Sequence, residues 1–521
     1  MTTPASVPQV TDSEAEPCRS RRPVPIMLVM FVPVALLNIV WFSSFSGQTL
    51  MGDDLDLVIQ SRTPGGYASN FFDAFTQTGS DKFRPVVTPV LSVITDIFGS
   101  SFPSYRNLNL AVQVINVGLV GLLAWRISRR NWLVAFIAMT LVSVSRFNVY
   151  FVLQIYGLME GLAVTFILGM LMAVHANYER HDRRFLVIAN VCYFLVVFTH
   201  ERFIVLAPFL VVTTLQASGT FRSLGERIRW ATIPLGVAGF NLAVKVYVLG
   251  IDFFTGPGGQ SVDFGPNQVM VFIGRAVLNL LGFNTGPAYL TGRNAHGLGF
   301  LGVGLCAFFA SAVGVLVVVL VLQWVRAGRD RQRAARAWLL GGSLIGPLLL
   351  SASITFRQEF RWLYAPYIVL IIGVSWALGR VAPRSQVQVV LALAVLVAGL
   401  TVDVYYRRFV ENTYFFSGLR FADNVRRDVI DRHRHELKSS TVFLVTHGDP
   451  VVDGFFLHGG GFFDVYAPGA DVRLVMSLEA AAAADQLRPR LLAFEVQGDF
   501  VIDVTSQLGP IEDRPVAAEE R

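Results

Sequence analysis

Charge is scarce in this chain. Asp, Glu, Lys and Arg make up only 15% of its 521 residues, while 53% are hydrophobic, and the mean hydropathy is +0.53. So little charge excludes a soluble protein for most of the length. Cysteine is nearly absent. Cys18, Cys192 and Cys306 are scattered, at no spacing that suits a zinc site or a disulfide framework. The net charge of +6 does not mark a nucleic-acid binder, because the arginines sit beside hydrophobic runs, as membrane topology requires. No internal repeat is visible. The glycine run His458-Gly459-Gly460-Gly461 lacks a strand–phosphate-loop–helix context and reads as a turn.

Long apolar runs are abundant. Eleven are as long as a bilayer needs or nearly so: 24–45, 108–125, 131–146, 157–175, 185–199, 203–217, 230–249, 298–324, 337–355, 363–379 and 386–403. The fold class expected is therefore a polytopic α-helical membrane protein of about 11 transmembrane helices, carrying a small C-terminal α/β extracytoplasmic domain. The first run is too long for the core of a cleaved signal and reads as an uncleaved span. Segment 85–99, short and interrupted by Pro85, Pro89 and Asp96, suits a buried or interfacial helix.

Arginine fixes the orientation. With a cytoplasmic N-terminus, the clusters at Arg126/Arg129/Arg130, Arg180/Arg183/Arg184, Arg222/Arg227/Arg229, Arg326–Arg336 and Arg380/Arg384 all fall inside. Residues 1–22 then form a cytoplasmic polar tail, and residues 23–405 a transmembrane domain with an outer loop at 46–107. A second outer loop, 250–297, is irregular around Gly256–Gly259 and Asn294, with a partly inserted helix expected over 268–283. Polar residues become frequent from about Tyr405. Residues 406–511 read as the outer α/β domain, with strands at Thr441–Thr446, Val472–Met476, Leu491–Val496 and Phe500–Val504. Ser477 is placed to cap an Ala-rich helix. Residues 512–521 read as a disordered tail.

Four polar clusters project to the outer side. They are Asp53–Asp54; Asp81-Lys82-Phe83-Arg84-Pro85; Thr199-His200-Glu201-Arg202; and Arg357-Gln358-Glu359-Phe360-Arg361, which runs on to Tyr364 and Pro366. Ionisable groups at a membrane boundary are costly and point to function. Interfacial anchoring explains any one of these clusters more simply than four together. Arg106, Asn109, Gln113 and Asn116 lie along one helix face, either hydrogen-bonding a neighbouring helix or walling a polar cavity.

These residue types suit sugar transfer from a lipid phosphate. A carboxylate can deprotonate an acceptor hydroxyl, and guanidinium groups can counter the charge on the departing phosphate. Adjacent carboxylates raise each other's pKa, which helps one act as a base near neutrality. No cofactor is called for, although the pair leaves room for a divalent cation.

The arrangement resembles the GT-C superfamily of polytopic glycosyltransferases, whose hallmark is an acidic motif in the first outer loop. The stretch from Phe83-Arg84-Pro85-Val86 to Phe102-Pro103-Ser104-Tyr105-Arg106-Asn107-Leu108-Asn109 resembles that of polyprenyl-phosphate mannosyltransferase-like members. The turn at His200–Glu201 and the segment Arg361–Pro366 resemble two later motifs. Arg106 stands where those relatives often have His, and His200 where they often have Lys. The outer domain lacks tetratricopeptide periodicity.

The resemblance implies an inverting transfer from a polyprenyl-phosphate sugar donor to a glycan, lipid or protein acceptor, among membrane lipids and with no nucleic-acid partner. It implies Asp53 or Asp54 as base, with Asp54 favoured, and Lys82, Arg84 and Arg361 near the donor phosphate. Arg106, Asn109, Gln113, His200, Glu201, Arg357, Glu359 and Tyr364 would line the substrate. Two other classes stay open: a transporter or flippase of a lipid-linked saccharide, and a non-catalytic membrane scaffold.

Overall fold

The computed structural model describes residues 23–43, 45, 47, 49–61, 83–248, 250, 265–283, 298–326, 331–352, 360–381, 386–409, 413–483 and 490–508. Each apolar run carries helix. In chain order the helices are α1 (Pro23–Ser43), α2 (Asp53–Ser61), α3 (Val87–Phe98), α4 (Phe102–Ile127), α5 (Trp132–Ser143), α6 (Val149–Leu153), α7 (Gly157–Arg180), α8 (Arg183–Thr199), α9 (Ala207–Gln216) and α10 (Leu224–Ala243). Then come α11 (Pro266–Leu280), α12 (Gly299–Arg326), α13 (Arg331–Ser351), α14 (Tyr364–Arg380) and α15 (Gln386–Phe409). The helix expected over 268–283 is α11, and the short apolar segment 85–99 forms α3.

Side-chain caps start several of these helices. Asn131 accepts from the Val134 N–H at 3.3 Å, Asp182 from the Arg184 N–H at 2.9 Å, and Ser223 from the Glu226 N–H at 3.1 Å. Glu226 in turn accepts from the Arg222 N–H, so donors on both sides of that helix start are satisfied.

Five described segments are long and apolar enough to cross a membrane: α4, α7, α12, Phe360–Arg380 and α15. A sixth is the pair α5 and Arg146–Leu153, bent by 46° at the break. The remaining runs do not meet that measure of length and apolarity among the described residues. The run 185–199 lies within the 17 residues of α8, and 203–217 divides between a 3₁₀ turn, Glu201–Leu206, and the 10 residues of α9. The structure thus shows a helical membrane protein with several spans. Helix α7 and the Phe360–Arg380 segment are mostly buried at the centre. By contrast, α12 turns Phe300, Leu301, Val318 and Val325 outward. An apolar surface of that extent needs lipid around it.

The C-terminal region contains a four-stranded sheet of β1 (Ser440–Val445), β2 (Asp471–Val475), β3 (Arg490–Gln497) and β4 (Phe500–Asp503), in the order β2-β1-β3-β4. β1 is parallel to β2 and β3, while β4 is antiparallel to β3. All four expected strands are present, and Ser477 caps the helix that follows β2, accepting from the Ala480 N–H at 3.1 Å. One sheet face, through Val442, Leu444 and Phe494, joins the main core. The other packs Phe443 and Ala493 against Ala481.

The segment between β1 and β2 reaches α2 and the residues just before it. Gly52, at φ +60°, lies under Phe455, whose ring would stand 3.0 Å from a Cβ there. The Leu50 N–H donates to the Tyr466 hydroxyl at 2.7 Å. Both sites bind α2 to the C-terminal region.

Candidate active site

Asp53, Asp54 and Asp56 occupy the first turn of α2, where the helix dipole favours negative charge. The two members of the acidic pair differ sharply. Asp53 is exposed, whereas Asp54 is buried, 3% accessible. The Ile155 N–H donates to both Asp54 oxygens at 3.0 Å, and the Tyr156 N–H donates to Oδ1 at 3.3 Å. Burial pushes the Asp54 carboxyl up to about 7. The two N–H donors and Arg361 pull against that rise, and the Asp53 charge adds to it.

The turn that grips Asp54 is itself held by α4. Asn109 donates to the Gln154 carbonyl at 2.6 Å, one residue before the Ile155 N–H. Gln113 donates to the Val142 carbonyl at 3.2 Å and accepts from the Tyr364 hydroxyl. Asn116 donates to the Gly161 carbonyl at 3.0 Å and accepts from Thr165 at 2.7 Å. Asn109, Gln113 and Tyr364, expected to line the substrate, thus form a buried brace for the chain breaks around 142–156. Carbonyls freed by such breaks need donors, and these amides supply them. Arg106, nearer the start of α4 on the same face, donates to the Phe45 carbonyl at 3.5 Å.

Arg84 differs from the open phosphate ligand expected. Its Nε and Nη2 donate to the two Glu201 oxygens at 2.8 and 3.1 Å, a bidentate pair. Burial opposes the ionisation of Glu201, but the Arg84 charge outweighs it and holds the carboxyl below the usual carboxylate range. His200 lies between two acids, 3.4 Å from Glu160 and 3.7 Å from Glu201. Burial pushes its pKa down to about 4 despite Glu160, so the ring is neutral. Arg202 donates to Glu160.

Two side chains connect this cluster to the acidic helix. Tyr156 lies in the field of Asp53, Asp54, Asp56 and Arg84. Arg361 acts on both Asp54 and Glu160. The structure therefore brings Asp53, Asp54, Arg84, His200, Glu201 and Arg361 into one region. Lys82, Arg357 and Glu359 lie outside the described residues. Among the described residues, no three His, Cys, Asp or Glu side chains converge on a metal site.

Sequence reasoning missed Glu160, Tyr156 and the contribution of the C-terminal region. Glu160 left a signal, as the only acidic residue of the apolar run 157–175. His458, read as part of a turn, has its Nε2 3.8 Å from Asp56 and adopts a positive φ of 49°. A second buried pair was also missed. Arg146 Nη1 donates to Asp403 at 2.7 Å, and Nη2 donates to the Asn279 and Leu280 carbonyls at 2.9 Å each. Each partner is the only charge in its run, 131–146 or 386–403.

No protein-family model matches the chain, and no curated protein matches it with significance.

Proposed function

We propose that the chain is an inverting glycosyltransferase that moves a sugar from a polyprenyl-phosphate donor to an acceptor on the outer face of the cytoplasmic membrane. In this reading all eleven runs cross or enter the bilayer, the N-terminus is cytoplasmic and the sheet domain is outside. The observation that supports it best is the divided carboxylate pair on α2, one member open and one buried, with a guanidinium acting on it.

Accessibility favours Asp53 over Asp54 as the base, since a base must reach the proton it removes. Asp53 accepts the proton of the acceptor hydroxyl as that oxygen attacks the anomeric carbon. The bond from that carbon to the phosphate oxygen breaks, and polyprenyl phosphate departs with its electron pair. Arg361 counters the charge that develops on the phosphate; the Arg84 guanidinium is already engaged by Glu201. Asp54 fixes the start of α2 through its bonds from the Ile155 and Tyr156 N–H groups.

The transporter reading draws on the broken span at α5, because broken helices recur in transporters. Against it, both terminal nitrogens of the guanidinium at that break are held, by Asp403 and by two carbonyls, which suits a staple.

The test is transfer of labelled sugar from polyprenyl-phosphate donors in membranes bearing wild-type protein, Asp53→Asn or Asp54→Asn. Asp53→Asn is expected to lower turnover roughly 10²–10⁴-fold at normal insertion, the usual worth of a general base. Full activity in that variant removes the base assignment. Absence of turnover with every donor, in well-inserted wild-type protein, moves the weight to the transporter.

A further inference from the structure

The glycine run His458-Gly459-Gly460-Gly461 does more than turn the chain, for it lies against the acidic helix. Three contacts place its segment there. The Phe455 ring covers Gly52; His458 Nε2 lies 3.8 Å from Asp56 Oδ1; and a Cβ on Gly461 would stand 2.8 Å from Ile59 Cδ1. Positions 455, 458 and 461 thus follow 52, 56 and 59, so the segment runs alongside α2 in the same direction. Asp53 and Asp56, three positions apart, share a helix face, while Asp54 is turned from it into the core. Along α2, Asp53 comes after the Phe455 contact and before that of His458. The backbone is built for this approach. His458, Gly459 and Gly460 take left-handed φ values of +49°, +61° and +103° in succession, and the last suits glycine alone. Gly461 then lets the turn close on Ile59, where a side chain would collide.

We propose that His458 and Asp56 hold a neutral saccharide acceptor and present one of its hydroxyls to Asp53. The 3.8 Å between Nε2 and Oδ1 is too long for a hydrogen bond but suits a bridge. A hydroxyl oxygen about 2.8 Å from each accepts from the imidazole N–H and donates to the carboxylate, as only a group of both kinds can. A neighbouring hydroxyl of the same ring then comes within reach of Asp53, one helical turn away. The side chains of His458 and Asp56 are 34% and 39% exposed, so a ligand reaches them from solvent. Three aspartates in the first turn of α2 disfavour an anionic acceptor. Saccharide binding stands on this geometry; the acceptor role rests on the glycosyltransferase reading.

The experiment titrates full-length protein in nanodiscs calorimetrically with neutral gluco-, manno-, galacto- and arabino-oligosaccharides and with an acidic oligogalacturonide. The same neutral saccharides serve as acceptors in the transfer assay with polyprenyl-phosphate donors. At least one is expected to bind, and about tenfold more weakly to His458→Ala, the worth of one hydrogen bond. His458→Gln, whose amide nitrogen can stand in for Nε2, is expected to recover most of that loss. In transfer, His458→Ala is expected to raise the acceptor KM about tenfold and leave the donor KM unchanged. No binding by any neutral saccharide, equal binding in His458→Ala, or preference for the acidic chain overturns the proposal. So does a His458→Ala protein in which amide exchange over residues 50–56 speeds up and both KM values rise together, the mark of a residue that only docks the turn. Binding that depends on His458 without turnover in wild type sinks the enzyme reading and leaves the site. Turnover with an acceptor KM indifferent to His458→Ala sinks the site and leaves the enzyme.

Discussion

At the break between α5 and α6, charge is matched one for one: Arg146 faces Asp403, and its remaining fork meets two backbone carbonyls. Around α2 the charges form a network instead of a single pair. Asp53, Asp54, Glu160 and Glu201 share the region with Arg84, Arg202, Arg361 and Lys245, and Arg361 acts on Asp54 and Glu160 at once. Both regions bury ionised groups, where desolvation is severe and pairing must offset it. A one-to-one pair serves the architecture. Burial pushes Asp54 up to about 7, and its hydrogen bonds come from backbone N–H groups, so its proton is held to higher pH. Proton chemistry belongs where burial is not offset by a bonded countercharge.

The largest effect that sharpens this contrast falls on the balanced pair. Arg146→Ala leaves the Asp403 carboxylate buried and two carbonyls without their donor, at a cost of about 3–5 kcal/mol. The expected outcome is a steep loss of thermal stability in detergent, with most of it recovered in Arg146→Met combined with Asp403→Leu. If the double variant is stable but inert in sugar transfer, the pair belongs to the chemistry and the contrast fails.

Next in size is the pH response of Asp54. Its folded-state pKa lies above the ordinary 3.8, so the folded protein holds a proton that the unfolded chain releases. The associated stability is complete below about pH 4, declines as pH rises, and is gone above about 7. Activity should move the other way, because the ionised Asp54 carboxylate accepts from the Ile155 and Tyr156 N–H groups more strongly and holds the start of α2 more firmly. Turnover is expected to rise with a midpoint near pH 7, while thermal stability falls between about 4 and 7. Asp54→Asn should flatten both curves. A variant that keeps the rising limb would assign it to another group.

Much of this arrangement was legible in the sequence. Apolar runs located the helices, and charge at their ends located Asp53, Asp54, Arg84, His200, Glu201 and Arg361. The strands of the sheet followed from their apolar runs and the turn residues between them. The stripe Asn109, Gln113 and Asn116 was legible as a polar face, but not its destination. That depends on carbonyls released at the breaks near 144 and 154, and the residues there are too ordinary to announce them. Arg146 and Asp403 looked like the ends of two runs, since pairing across 257 residues leaves no local trace. The count of spans was less legible. A run records apolar length, whereas the 3₁₀ turn at Glu201–Leu206 and the bend after Ser143 depend on packing.

The smallest effect tests whether the C-terminal region belongs to the acidic site. The Tyr466 hydroxyl accepts from the Leu50 N–H at 2.7 Å and lies 3.4 Å from the Ser100 carbonyl, tying the approach to α2 to the turn before α4. Leu50 is 1% exposed, so water cannot readily replace the lost partner. Tyr466→Phe keeps the ring and removes both bonds, of which the short one from Leu50 is worth about 0.5–1.5 kcal/mol. Global stability should therefore change little, while the start of α2 loosens. Amide exchange over residues 50–56 is expected to speed up by about tenfold, the kinetic equivalent of some 1.4 kcal/mol. If Asp53 depends on that helix start, turnover should fall several-fold with its pH midpoint unchanged, since Asp54 keeps both of its N–H donors. Faster exchange without slower turnover would make the C-terminal region a cover on the start of α2, with no part in aiming its carboxylates.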